Sequence, residues 1–292
     1  MSEFMMHGLS NPVSRPFASR DVLSRRLHRV LMVVFSMTCS GIACGEELPS
    51  IHPGGLLTIE IPSRNNNRPT SYFGRYRTAM IKKNQRWHSL TAIPYDTLPG
   101  TYIITYRKDA ETLQALEFRV LQTREPEVMS ALLPSTQSSN RSQQRQILEH
   151  RKNLNKLFRQ WQEGEFQGAK LKPVFTPDEA LQLSRDTPAN KIIGYRYEIR
   201  KPQNLLAPLK GKVVWLETAS ATTQVLILQH SQGMFSVFTG IDQPTVTKDQ
   251  EVQASDILAN ILLDRRNSPR YVTWSLVLNG AEISPELFLG NR

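Results

Sequence analysis

Metal and acid–base chemistry need histidine, cysteine and carboxylate side chains brought to one point, and this chain is poor in the combinations that do so. Of its six histidines, His52, His88 and His150 lie in separate stretches with no second Cys or His at a ligand spacing. His230 stands alone in a β-rich run, where a lone histidine reads as a structural residue. Ser236 and Ser275 have no His–acid signature nearby, so nucleophilic catalysis has no visible start. One carboxylate, Glu198, ends the run Gly194-Tyr-Arg-Tyr-Glu198, and a single carboxylate does not retain a transition metal.

The elements that would carry such groups follow from pattern. At 292 residues and 39% hydrophobic content the chain can bury a core and has room for about two domains. Across residues 46–125, short β-rich runs at 56–61, 79–82, 87–92, 101–106 and 116–121 alternate with turn material such as Pro53-Gly54-Gly55 and Leu98-Pro99-Gly100. Such spacing predicts a small N-terminal β-sandwich-like domain, with Tyr72, Phe73, Tyr76 and Trp87 read as core aromatics before any binding surface. Residues 126–168 read as a polar linker and a helix, in which Ile147, Leu154, Leu157, Phe158 and Trp161 recur at helical spacing and Gly164 stops the run. That helix is expected to be an interdomain strut. From 169 to 292 the texture is β again, with runs at 212–216, 224–228, 234–238 and 271–278; Asn279-Gly280 predicts a type I′ hairpin turn after the last. The fold class is therefore mainly β.

At the N-terminus, Arg20, Arg25, Arg26 and Arg29 precede an apolar run from Val30 to Cys44. A basic segment followed by about 15 apolar residues and a small-residue end at Ala43-Cys44-Gly45 has the form of a secretory signal, and it is short for a membrane span. Residues 1–45 are accordingly read as a signal peptide that sends the chain to the periplasm or cell envelope of a bacterium. An uncleaved anchor or a lipidated Cys44 would be its only contact with a membrane. Cys39 and Cys44 are the only two cysteines, so the remainder has no disulfide framework. The chain carries a net charge of +10, and only five arginines and two acids lie before residue 46, so the rest stays basic. Such a charge draws an exported protein toward anionic envelope polymers. Lys/Arg stripes interleaved with aromatics are absent, and nucleic acid is not the expected partner.

Several segments of the C-terminal part resemble the LytM or lysostaphin-type zinc endopeptidase family. Ala207-Pro208 followed by Gly211-Lys-Val-Val214 is similar to that family's Ala-Pro-x-x-Gly-x-Val-Val strand. His230-Ser-Gln-Gly233, then Lys248-Asp-Gln250-Glu-Val252, resembles its His-Gly-x-Gly and Gly-Gln-x-Val segments. Trp274 to Asn279-Gly280, with Pro285-Glu-Leu-Phe-Leu289, looks like its last strand and closing motif. The resemblance implies a C-terminal LytM-like antiparallel β domain at 169–292, often preceded in the family by a β domain and a helical linker.

The same resemblance implies a zinc site, held by a His and an Asp four residues apart and by the second His of a His-x-His pair, with two further histidines for proton transfer. In this chain the ligand positions fall on Gly194, Glu198 and Thr273, and the proton-transfer positions on Gly240 and Tyr271. No cofactor is therefore expected, although zinc is the family's metal. Bulky residues also replace the family's glycine-rich turn at 262–269, which leaves Glu198, Arg265, Arg266, Tyr271 and Thr273 as a candidate groove. By resemblance to inactive family members, the chain is expected to bind peptidoglycan or a cell-wall hydrolase. Two other readings stay open: a divergent zinc endopeptidase that cleaves peptidoglycan cross-links using Glu198 and His230, and a structural envelope component.

Overall fold

Alternating apolar side chains set the first half of the molecule. In β7 (Gly100–Arg107) Ile104 and Tyr106 point inward, and in β8 (Leu113–Val120) Phe118 and Val120 do the same. These strands lie in a five-stranded sheet with β1 (Ser50–Ile51), β3 (Thr70–Phe73) and β4 (Tyr76–Arg77), in the order β1-β8-β7-β3-β4. A second sheet, β2-β6-β5, is built from β2 (Leu56–Glu60), β5 (Ala79–Lys83) and β6 (Arg86–Ala92). Leu57, Ile59, Met80 and Ile93 meet Ile104 and Phe118 in a shared core. Each fully buried side chain of this kind contributes about 2 kcal/mol of apolar transfer. Phe73 packs on Tyr102 and Phe118, and Trp87 packs at the margin of the same core, as expected of aromatics in a small sandwich. The β5–β6 hairpin turns on Asn84 and Gln85, both in the left-handed region, at φ 50° and 63°.

The computed structural model describes residues 47–63, 67–107, 113–122, 130, 132, 141–176, 180–183, 192–220, 223–263 and 270–289. The N-terminal apolar run, most of the polar linker, and Arg265 and Arg266 of the candidate groove lie outside the described residues. Glu47–Arg292 forms one compact unit.

The second half is built on one large antiparallel sheet. Its strands are β9 (Ala180–Leu183), β10 (Tyr195–Ile199), β12 (Gly211–Ser220), β13 (Thr223–Gln229), β14 (Met234–Ile241), β15 (Glu251–Val252) and β17 (Arg270–Leu278), in the order β15-β12-β13-β14-β17-β10-β9. Strand β18 (Ala281–Ile283) hairpins onto β17 through Asn279 and Gly280, at φ 42° and 77°, which is the type I′ turn that the dipeptide predicts. Strands β11 (Gln203–Leu206) and β16 (Ile257–Ile261) pair separately and, with Phe175, Leu205, Val246 and Leu258, close one face of the sheet around Phe238 and Trp274.

Helix α1 (Arg141–Leu157) covers part of the opposite face. Leu154, Leu157 and Phe158 sit against Ile227, Phe235, Val237 and Val277, with Phe158 edge-on to Phe235 at 5.2 Å between ring centroids. The apolar stripe thus packs on the sheet of the second half. Trp161 lies beyond the helix end, stacked under the Arg77 guanidinium at 4.0 Å. A short helix α2 (Glu286–Leu289) follows Pro285.

Two side-chain amides join the halves. Gln232 accepts the Met80 N–H at 2.8 Å and donates to the Met80 carbonyl at 3.2 Å. Asn279 accepts the Ala92 N–H at 2.7 Å and donates to the Ala92 carbonyl at 2.9 Å. Each amide reproduces the two bonds that a neighbouring strand would make, so the edge of β5 at Met80 and the end of β6 at Ala92, past the reach of β5, are not left unpaired.

Candidate functional site

Strand pairing places the five ligand and proton-transfer positions. Glu198 of β10 lies directly opposite Tyr271 of β17, and Arg196 opposite Thr273. On the other side of β17, Thr239 of β14 pairs with Thr273. Directly opposed residues share a face, so Glu198, Arg196, Tyr271, Thr273 and Thr239 stand together on one face of three adjacent strands. Gly194 leads into β10 beside Trp274 and Ser275, and Gly240 lies in β14 beside Tyr271. The structure therefore brings Gly194, Glu198, Gly240, Tyr271 and Thr273 into one neighbourhood, as the sequence correspondence requires.

That neighbourhood does not fit zinc. Gly194 has φ +107°, and a Cβ there would fall 2.3 Å from the Trp274 carbonyl oxygen; at Gly240 (φ +79°) the distance to the Tyr271 carbonyl oxygen is 2.2 Å. A histidine at either place needs the backbone to move, so the main-chain path here admits no side chain at these two positions. Glu198 accepts a 2.8 Å hydrogen bond from Arg200 Nε, which commits the one carboxylate to a cation. Arg196 spans the paired strands and lays its guanidinium 4.4 Å from the Tyr271 ring centroid. A fixed positive charge there opposes a divalent cation by simple Coulomb repulsion. Among the described residues, no group of three or more His, Cys, Asp and Glu side chains converges as metal ligands would.

Access to this face is limited as well. Thr273 is 7% exposed and the Glu198 side chain 12%, whereas Tyr271 is 44% exposed. Beside Thr273, the Ser275 hydroxyl donates to Glu282 Oε1 at 2.7 Å, and farther along the same face α1 packs on Val237 and Val277. Sequence reasoning missed Arg196, although the period-two pattern of a strand puts it on the face of Gly194 and Glu198.

His230 is a structural residue in its geometry. It is 1% exposed, with Nδ1 2.7 Å from the Lys210 carbonyl and Nε2 2.8 Å from the Ser236 hydroxyl. A carbonyl can only accept, so Nδ1 carries the proton and Nε2 accepts from Ser236. Burial pulls its pKa down to about 4, against a smaller upward pull from the Lys210 carbonyl, and the ring is neutral. It lies on the core side of β14, away from Glu198.

Comparison with known proteins agrees with this architecture. Residues 191–285 match the model of Peptidase family M23. The chain is similar in fold to the crystal structure of a Pseudomonas aeruginosa protein assigned to peptidase M23, with a TM-score of 0.63 and 18% identity over 82% of this chain and 94% of that one. A structure of the SpoIIQ–SpoIIIAH pore-forming complex matches at 15% identity and a TM-score of 0.33, over 40% of this chain and 89% of that one. A variant of the catalytic domain of the prophage-encoded M23 protein EnpA from Enterococcus faecalis matches at 14% identity and a TM-score of 0.35, over 42% and 99%. No curated protein matches the chain. By this match and the shared fold, residues 191–285 are a Peptidase family M23 domain, set in a mainly β chain.

Proposed function

We propose that this chain is an exported, catalytically inactive M23-type protein of the bacterial cell envelope. It binds peptidoglycan or a cell-wall hydrolase and thereby regulates or positions wall remodelling. One observation carries the reading. At the M23 ligand and proton-transfer positions, two residues are glycines whose Cβ sites are blocked by backbone carbonyls, and at a third the Tyr271 ring lies under the Arg196 guanidinium. Zinc hydrolysis needs an open coordination position and a base, and neither Thr273 nor Tyr271 supplies one. Export is supported by the basic segment and apolar run before residue 46, and attraction to anionic wall polymers by the net charge of +10.

The test takes residues 47–292, loads them with zinc, removes the excess and measures bound metal by elemental analysis, alongside incubation with insoluble peptidoglycan. The expected result is far less than one zinc per chain, no release of soluble fragments, and co-sedimentation with the wall or with an added M23 hydrolase. One zinc per chain together with released fragments would replace this reading with that of a divergent endopeptidase.

A further inference from the structure

The β2-β6-β5 sheet ends in an edge that is closed at one residue and, among the described residues, left open at the next available one. On β5, Met80 turns its N–H and carbonyl away from β6, and both are taken by the Gln232 amide, which stands in for a strand. Outward-facing residues alternate along an antiparallel edge, so Lys82, two residues on, presents its backbone N–H and carbonyl in the same direction. Gln232 does not reach it, and the Asn84–Gln85 turn begins just beyond.

Beside this edge lies a groove of about 860 Å³, walled by Trp87 and Ile81 from the sandwich, Phe166 from the connecting segment, and Leu287 and Phe288 of α2. Leu287 is 40% exposed there. Lys82 and Lys83 are exposed at the rim and form no ion pair with a carboxylate among the described residues, while Glu165 on the far wall is turned to Lys170 at 3.6 Å. Arg68, also at the groove, is held by Glu163. Open backbone donor and acceptor, an apolar trough and two unneutralised cations therefore meet at one place.

We propose that this place docks an extended segment of a partner protein, with an apolar side chain set in the groove and its flanking carboxylates, on the opposite face of the segment, within reach of one of the two lysines, Lys82 or Lys83. The segment exchanges two backbone hydrogen bonds with Lys82 and continues the short strand that Gln232 begins. An extended peptide is favoured over a glycan or a lipid because the feature that singles out Lys82 is its main chain, which a sugar or an acyl chain does not complement in register. The proposal narrows the partner of the preceding section to a protein, and it shares no residue with the M23 ligand positions. A failed zinc measurement therefore leaves it standing, and its own failure leaves the loss of catalysis standing.

The probe is a capped heptapeptide that alternates glutamate with valine around a central phenylalanine, titrated into the full-length chain by calorimetry. Saturable binding is expected, together with slowed hydrogen exchange of the Lys82 amide. N-methylation of the central peptide amide is expected to weaken binding about tenfold, the scale of one lost hydrogen bond in a desolvated site. Lys82→Pro removes the outward N–H, which β6 does not use, together with the Lys82 charge, so it is tolerated at an edge and weakens binding by more than Lys82→Gln, which removes the charge alone. The double variant K82E/K83E abolishes binding of the acidic peptide and restores it for a lysine-substituted one. Equal binding of the N-methylated and unmodified peptides to the wild-type chain overturns the proposal. So does a preference for soluble peptidoglycan fragments or anionic vesicles that is unmoved by Lys82→Pro.

Discussion

Strand β17 has two faces under different physical constraints. Inward, Val272, Trp274, Leu276 and Leu278 are buried in the core that joins β11, β14 and β16, and Trp274 stacks on Phe238 at 6.3 Å. Outward, Tyr271, Thr273 and Ser275 occupy the line where an M23 peptidase needs its His-x-His pair. The inner face carries Trp274, one of the residues on which the family resemblance rests, whereas the outer face carries Tyr271 and Thr273 at the two His-x-His positions. A packed apolar interior penalises every change of volume, while a more polar strand face accepts a wider range of side chains.

That contrast predicts unequal responses. Trp274→Ala opens a cavity at the centre of the larger core and should cost about 4 kcal/mol in urea unfolding of residues 47–292. A cost near that of an exposed substitution would mean that the inner face is not the constrained one.

His230 gives the next largest effect and a pH signature that the outer face lacks. Its unfolded pKa is near 6.5 and its folded pKa about 4, so between those values the unfolded chain binds more protons. The stability it secures is full above about pH 6.5, declines as pH falls, and is gone below about pH 4. The difference is about 3 kcal/mol across that window. His230→Gln should remove most of the decline when unfolding midpoints at pH 7.5 and 4.5 are compared with wild type. An unchanged slope would show that the ring titrates in the folded chain as it does in water.

The same division explains what was legible in the sequence. Asn279-Gly280 announces its own turn because only residues tolerant of positive φ close a type I′ hairpin, and alternation in 101–106 announces β7 because one face is wet. The M23 positions were legible as a set of substitutions, and strand pairing then put Gly194, Glu198, Gly240, Tyr271 and Thr273 side by side. Sequence alone did not show that the two glycines block a side chain, because a carbonyl that approaches across strands leaves no mark along the chain. Nor did it show the bridging use of Gln232: a glutamine next to a glycine reads as a polar turn, and its partner Met80 lies 152 residues away. The helix was legible to its last turn, but Trp161 fitted the helical period and still lies outside, captured by Arg77.

The smallest expected change in stability is also the sharpest test of the comparison. The double variant Y271H/T273H restores the His-x-His pair on the outer face of β17. It places histidines at one exposed and one buried position and gives up the Arg196–Tyr271 contact, so the loss should be about 2 kcal/mol, most of it from the bulkier side chain at 273. Zinc should still not bind at one equivalent. Gly194 offers no ligand and has no room for one, Glu198 remains held by Arg200, and the Arg196 guanidinium stays opposite position 273. If elemental analysis found one zinc per chain in this variant, two side chains alone would separate the protein from a metal site, and the backbone path at Gly194 and Gly240 would not be the barrier. If zinc is absent until Gly194 is also replaced and the strand entry moves, the loss of the reaction lies in the main chain as much as in the side chains.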